Sequence, residues 1–544
     1  MEIDFKKKLE VLFKDKQFER IKFEIEALED NEKNDPFFYN ILGIIETVNK
    51  NNQKAKEYFN LALKFNKNYI YSLLNLAKLT YEDKNFIHTI TLLKEYNTKN
   101  PGNDKIISNL ADLTFSAGII EETINYHKIL INRGNYETKD LAALIFLLNY
   151  SNNYSNDEYK KYCKKFDQIL LKNKIKYPLV PNNHDKFKIG FLSYDLKQHS
   201  VGFFLKDFIN QLKLQKFKPI AFNLNKEKKD DNFINKLKET FFEWHDVYNL
   251  NDKEISDLIF SKKIYYLFDL GGYSTGNRLQ VYKNKPAPVQ VSWLGYCNDT
   301  YIDEIDHIIV DDNVILNDFE ESQSKLIYMP DIWNTISKLD NIQVKELPFT
   351  KNKTFNFGCF NNFLKISDDT ISLWEEILFK FENSNLILKN SVSADRNFKE
   401  YLIGKFKKKI DPQRIKILNY EKDKKKHLEQ YNNIDLCLDT YPYNGVTTTF
   451  EALWMGVPVV TLKGNRFVSR CGYSINKNAN LNNFTAKTKQ EYVSIAAQFK
   501  ENKKIDRLVT LRGKLRSQVL QSPLFDVNSF TKNFIKKLYK IYEK

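Results

Sequence analysis

The sequence predicts an N-terminal α-solenoid followed by a two-lobed, Rossmann-like α/β unit, and three observations carry that prediction. The first 150 residues partly match themselves when shifted by 34 positions. From residue 186 onward, short β-rich runs alternate with helical stretches, the pattern of parallel sheets with helices on both faces. Those runs fall into two series, joined by the stretch Lys338 to Lys353. The expected segments are helical repeats over residues 1–150, a helical linker over 151–185, a first lobe over 186–340, a second lobe over 341–520 and a C-terminal helix over 521–544.

In the repeat region Leu42, Leu76 and Leu110 align, as do Gly43, Ala77 and Ala111. Tyr39, Leu73 and Ile107 form a third set, and Ile45, Leu79 and Leu113 a fourth. Further on, Ala55, Thr89 and Thr123 align, then Tyr58, Leu92 and Tyr126. A large residue near a small one lets each helix nest against its partner. Pro101 falls between units, where a helix must stop. The pattern resembles the tetratricopeptide repeat, but where that repeat has an aromatic near the end of its first helix this chain has Glu46, Thr80 and Thr114. Three repeats are clear, and a weaker one precedes them within Phe5 to Asp30. Stacks of this kind form concave surfaces that hold peptides or protein partners. Acceptor binding is expected of them, with a spacer or a homo-oligomer contact as the bland alternatives.

Composition narrows the class. Of 544 residues, 42% are apolar, enough for ordinary cores. No apolar run approaches the about 18 residues of a membrane span. The start, Met1-Glu2-Ile3-Asp4-Phe5-Lys6, has no apolar signal region. Cys163, Cys297, Cys359, Cys437 and Cys471 are an odd set without Cys-x-x-Cys spacing, so neither a zinc site nor a disulfide framework is expected. A cytoplasmic protein fits these features. The net charge of +15 is spread along the chain and interleaved with acids, so no nucleic-acid partner is expected.

Candidate strands of the first lobe are Lys188-Ser193, Pro219-Asn223, Tyr265-Leu270, Val289-Trp293 and His307-Asp311. Those of the second are Phe355-Asn361, Asn385-Lys389, Arg414-Leu418, Asp435-Asp439 and Pro458-Leu462. Ligands of open α/β sheets gather at the carboxyl ends of strands. The densest motif falls at such an end. A buried strand ends at Asp439, a turn runs through Tyr441-Pro442-Tyr443-Asn444-Gly445, and a helix runs from near Thr447 to Met455, with Gly456 as its stop. Thr447, Thr448 and Thr449 occupy the first helical turn, whose backbone N–H groups lack internal partners and favour an anion. Gly445 lets the backbone approach closely, so the segment reads as a diphosphate cradle. Glu451, one turn later, is placed to reach a ribose hydroxyl pair. Helix capping by threonine is the competing explanation.

The segment Asn432 to Leu462 resembles the signature of O-linked N-acetylglucosamine transferases, in the bacterial SPINDLY-like branch. Four further stretches are similar to that family in the same order: Lys188 to His199, Asp269 to Arg278, Pro286 to Tyr296 and Phe357 to Lys365. The resemblance covers about residues 186–520 and includes the repeat arm. It implies a GT-B fold and inverting, metal-independent transfer of N-acetylglucosamine from UDP-N-acetylglucosamine to Ser or Thr of proteins. It places Lys365 at the donor phosphates, where a cation stabilises the departing nucleoside diphosphate, and Asn362 beside the phosphates or the sugar. It matches Thr447 and Thr448 to diphosphate-binding hydroxyls, His427 to a histidine packed on the uracil face, Lys424 to a residue facing the nucleoside and Glu451 to a ribose carboxylate. His199 matches a first-lobe histidine that faces the acceptor and sugar and has a pKa suited to proton relay.

The chain also departs from the family. Cys297-Asn298-Asp299-Thr300-Tyr301 replaces the usual Pro-Gly-Thr and small residue, Val446 stands where relatives carry Thr or His, and Tyr273 replaces a common His. These changes open two alternatives to UDP-N-acetylglucosamine: another donor, such as GDP-fucose, or a non-catalytic repeat scaffold. Trp293 and Trp454 are read as core, and Arg470 receives no role.

Overall fold

The computed structural model describes residues 2–29, 32–83, 86–178, 184–226, 231–315, 324–389, 396–406 and 410–543. The connector expected from about Pro178 to His184 lies mostly outside them. Residues 1–136 form one compact unit and residues 137–544 another.

The first unit is built of helix pairs: α1 (Glu2–Lys14) with α2 (Phe18–Glu26), α3 (Pro36–Val48) with α4 (Asn52–Phe65), α5 (Ile70–Asp83) with α6 (Phe86–Lys99), and α7 (Asp104–Ser116) with α8 (Ile120–Arg133). The pairs begin at residues 2, 36, 70 and 104, so the weak repeat before Asp30 keeps the period of the others. Where the tetratricopeptide aromatic is missing, buried hydroxyls bridge the two helices of a pair. Thr80 Oγ1 meets Thr89 Oγ1 at 2.7 Å, and Thr123 Oγ1 donates to Thr114 Oγ1 at 3.0 Å. In the preceding pair the small residue Gly43 faces the Phe59 ring, which a Cβ would overlap. We expect Gly43→Ala to destabilise this unit by about 1 kcal/mol: overpacking costs about 1–3 kcal/mol and outweighs the gain of up to about 1 kcal/mol in helix propensity. Urea denaturation followed by circular dichroism checks this, with Gly102→Ala, where a Cβ meets nothing within 4 Å, as the control.

The second unit opens with a fifth pair, α9 (Thr138–Leu148) and α10 (Asn156–Leu171), which starts 34 residues after α7. Its partners belong to the α/β part. Tyr159 OH lies 2.6 Å from Tyr296 OH and donates to the Asp299 carbonyl at 2.8 Å. Phe166 packs edge-on against Tyr273. Lys283, only 1% exposed, holds both Asp167 oxygens at 2.8 Å and Glu304 at 2.8 Å.

Two parallel sheets follow. The first contains β1 (Asp185–Ser193), β2 (Lys218–Asn223), β3 (Glu243–Asp246), β4 (Ile264–Asp269), β5 (Val289–Ser292), β6 (His307–Asp311) and β7 (Lys325–Met329), in the order β3-β2-β1-β4-β5-β6-β7. The second contains β8 (Phe355–Cys359), β9 (Ser384–Lys389), β10 (Ile415–Leu418), β11 (Leu436–Leu438), β12 (Val459–Leu462) and β13 (Thr485–Ala486), in the order β10-β9-β8-β11-β12-β13. Both orders are of the doubly wound type, with switch points at β1/β4 and β8/β11, where such sheets bind ligands. The strands expected to end at Asn361 and at Asp439 are shorter, because the chain turns out of the sheet to build the site. β3, β7 and β13 are not among the strands that the sequence predicts. The C-terminal helix Val527–Tyr542 returns to the first lobe, with Phe534 against Phe208 and Trp293 and with Leu538 O accepting from Tyr266 OH at 2.9 Å.

The lobes meet through apolar packing, with Trp333 edge-on against Phe467 and Phe204 edge-on against Phe450, and through polar bonds. Arg470, 5% exposed, donates from Nε to Asn313 O at 2.7 Å, and Ser474 donates to Asp311 at 2.6 Å. The loop between α9 and α10 touches both lobes: Asn149 donates to Tyr296 OH at 3.0 Å, while Arg466 donates to Ser151 O at 2.6 Å. No helix among the described residues is long and apolar enough to cross a membrane.

Candidate active site

The second sheet delivers the site at the carboxyl ends of β8 and β11. After β8 the chain forms a short turn, Phe363–Lys365, capped by Asn362, whose Oδ1 accepts from Leu364 N at 3.0 Å. After β11 it runs through Tyr441–Gly445 into the helix Thr447–Trp454, and Gly456 ends that helix region with a φ of +74°, a conformation open to glycine. The two segments converge. Lys365 Nζ donates to Asn444 O at 2.9 Å and lies 4.1 Å from the centre of the Tyr443 ring. Thr448 Oγ1 donates to Asn361 Oδ1. The half-buried Lys365 therefore stands within three residues of the helix tip that carries Thr447 and Thr448.

The helix tip is not capped by its own threonines. Its N-cap is Val446, which makes no side-chain cap bond, and Thr449 Oγ1 turns back to Gly445 O. This favours an anion cradle over simple capping. Asp439, 2% exposed, organises the turn by accepting from Gly445 N at 2.7 Å, Thr440 N at 2.9 Å and Thr461 Oγ1 at 2.8 Å. Burial pushes its carboxyl up to about 6, against the pull of these donors and of Lys365. Burial also lowers the Lys365 pKa, while Asp439 pulls it back up. A Cβ on Gly445 would crowd Thr448 Oγ1 and Asn361, which explains the glycine there.

One turn further, Glu451 is 2% exposed and ion-paired with Lys424. It also accepts from Tyr431 OH at 3.2 Å and lies 2.9 Å from His427 Nε2. Burial alone would raise its pKa, but Lys424 and His427 outweigh burial and hold it near 2. Of the side chains expected around a nucleoside and its phosphates, Thr448 and Glu451 lie three residues apart on one helix, and Lys424 and His427 both meet Glu451.

The first lobe contributes His199 at the N-cap of α11 (Ser200–Leu214); its Nδ1 accepts from Val201 N at 3.4 Å, and the Asp195 carboxylate lies 3.8 Å from the same nitrogen. Its side chain is 45% exposed, yet the surrounding protein lowers its pKa, with Asp195 opposing. α11 reaches the second lobe: Lys424 Nζ lies 4.8 Å over the Phe203 ring, and Phe204 packs edge-on against Phe450.

Sequence reasoning passed over Asn361, Asp439, Asn444 and Tyr443. Asn361 adjoins the named Asn362, but only the structure shows that it is Asn361, 6% exposed, that faces the helix tip. The departing loop is explained by packing. Asp299 is 1% exposed and accepts from Tyr301 N at 2.9 Å, so its charge is not presented to a ligand. Tyr273 donates to Thr300 O at 2.6 Å, which ties two of the departures together. Trp293 and Trp454 are core residues, each 3% exposed. Among the described residues, no group of three His, Cys, Asp or Glu side chains is arranged to hold a metal ion.

Comparison with known proteins agrees with this architecture. The SPINDLY protein of Petunia hybrida, named as a probable UDP-N-acetylglucosamine–peptide N-acetylglucosaminyltransferase, is 29% identical over 397 residues, covering 72% of this chain and 42% of the relative. Its namesake in Arabidopsis thaliana is 30% identical over 352 residues, covering 63% of this chain and 38% of the relative. The chain therefore spans about two fifths of the length of these relatives. A solved structure of a Thermobaculum terrenum O-GlcNAc transferase variant superposes with a TM-score of 0.76 at 24% identity, covering 95% of this chain and 98% of the other, and shows the same tetratricopeptide-plus-GT-B fold. The profile described as Glycosyl transferase family 41 matches residues 155–346 and 343–534, which take in both lobes, and the chain belongs to that family.

Proposed function

We propose that this protein transfers N-acetylglucosamine from UDP-N-acetylglucosamine to Ser or Thr hydroxyls of proteins, with inversion and without a metal ion. The observation that carries this reading is the convergence of Lys365 with the helix tip at Thr447 and Thr448. A cation and the uncapped N–H groups at a helix start neutralise a diphosphate as it leaves, and charge stabilisation of that kind is a large part of catalysis. The names of the family relatives support the donor and the acceptor class. Lys424, His427 and Glu451 hold the nucleoside, Asn362 lies beside the phosphates, and His199 orients or relays the acceptor proton. The helical repeats hold the acceptor protein, and the protein works in the cytoplasm.

Thermal-shift titration with UDP, GDP and their sugars tests the donor. UDP-specific stabilisation is expected, and a preference for GDP would overturn the donor assignment. We expect Thr448→Val to weaken UDP binding about tenfold, through the loss of one hydrogen bond to a charged group; calorimetry measures it. Removing residues 1–136, which end at the unit boundary, is expected to impair transfer to proteins and spare donor hydrolysis. Equal loss of both would contradict acceptor binding by the repeats.

A further inference from the structure

Lys389, at the end of β9, has no role in the site as described so far. It is 2% exposed, and its Nζ lies 2.7 Å from His427 Nδ1. On the other side of the ring, His427 Nε2 lies 2.9 Å from Glu451 Oε2. A lysine ammonium only donates and an ionised carboxylate only accepts. A ring held between them accepts at Nδ1 and donates at Nε2, so it is the neutral tautomer with its proton on Nε2. Both end members carry the required charge at neutral pH. Glu451 is ion-paired with Lys424, which favours its carboxylate form. Burial draws Lys389 down to about 8, with Glu451 and Glu421 pulling up and Lys424 pushing down. Phe360 and Tyr431 flank the ring, whose side chain remains 17% exposed.

We propose that Lys389 is a positioning residue for the nucleotide base: by donating to His427 Nδ1 it fixes the tautomer of His427 and, through Glu451, the plane the imidazole presents to the base. The proton on one histidine nitrogen is set by the hydrogen bond that the other makes. The inference rests on the nucleotide-binding reading of the site, and its ring-proton component is measurable without any nucleotide.

The test uses the full chain labelled with ¹⁵N-histidine, with His427→Gln to identify the His427 signals. The wild type is expected to show a pyridine-like Nδ1 and a pyrrole-like Nε2 at neutral pH. Lys389→Met is expected to mix the tautomers and to weaken UDP binding about tenfold, while Lys389→Arg, which still donates, restores both. A wild-type ring with mixed tautomers, or a Lys389→Met protein with unchanged ring signals, would overturn the relay. Unchanged UDP affinity in Lys389→Met would overturn the positioning role alone. Failure of the wild type to bind UDP would instead sink the donor-site reading, with the ring signals still reporting on the relay. A thermal unfolding profile shared by the three proteins ensures that the comparison concerns the site.

Discussion

Lys365→Met is expected to lower the rate constant of sugar transfer by about 10²–10³-fold, the usual effect of removing one group that stabilises charge developing in the transition state. The lysine is fixed by Asn444 O at 2.9 Å and by the Tyr443 ring at 4.1 Å, so its ammonium is already where the helix tip ends. Methionine keeps the volume and removes the charge. The effect should fall on the rate constant more than on the Michaelis constant, because the diphosphate carries more charge as it departs than when bound. Burial lowers the Lys365 pKa, so the cation is lost as pH rises through that value, and activity should decline on the alkaline side earlier than an ordinary lysine would dictate. Steady-state kinetics with UDP-N-acetylglucosamine decide the matter: a variant within a few fold of wild type would remove Lys365 from the mechanism.

Lys283→Met is the most destabilising change we expect in the second unit, at about 3–5 kcal/mol, the cost of leaving buried charges without their partner. Lys283 is 1% exposed and binds Asp167 of α10 and Glu304 at 2.8 Å, with Asp303 at 3.8 Å. Burial opposes its charge, but Asp167 and Glu304 outweigh that and raise its pKa. Methionine leaves the buried Asp167 without its cation and facing Glu304, which keeps Lys174. Adding Asp167→Asn to Lys283→Met should recover part of the loss, since the two positions are coupled. Urea denaturation of wild type, the single variants and the double variant measures the coupling. Additivity would show that the charges act separately.

Most strands legible in the sequence are largely buried, although the edge strand β10, with its exposed Lys416, is legible too. β4 and β8 are buried at every position, and β4 reads as an apolar run from Ile264 to Phe268. β3 and β7 are edge strands with exposed positions, and β13 has two residues, so none offers such a run. The fifth helix pair escaped notice for a related reason. Leu141, Leu144 and Leu147 continue the large positions of the repeat, but Ile145 and Asp157 stand where the earlier repeats have small residues. Its helices nest against the first lobe, so the requirement for small residues lapses. At the site, the hydroxyl run after β11 was visible because its spacing is local. Asn361, Asp439 and Lys389 come together from separate strand ends, and no local spacing announces that.

The α9–α10 loop constrains how the two lobes can move. Its Ser151 carbonyl accepts from Arg466 on one side and its Asn149 amide donates to Tyr296 on the other, while Arg470 and Ser474 stitch the lobes nearby. Prising the lobes apart would sever the Arg470 and Ser474 bonds and at least one side of the loop's grip. A clamshell swing of the lobes is therefore costly. The smaller adjustments left to the pair are those of side chains that touch across it, such as Lys424 and Phe203.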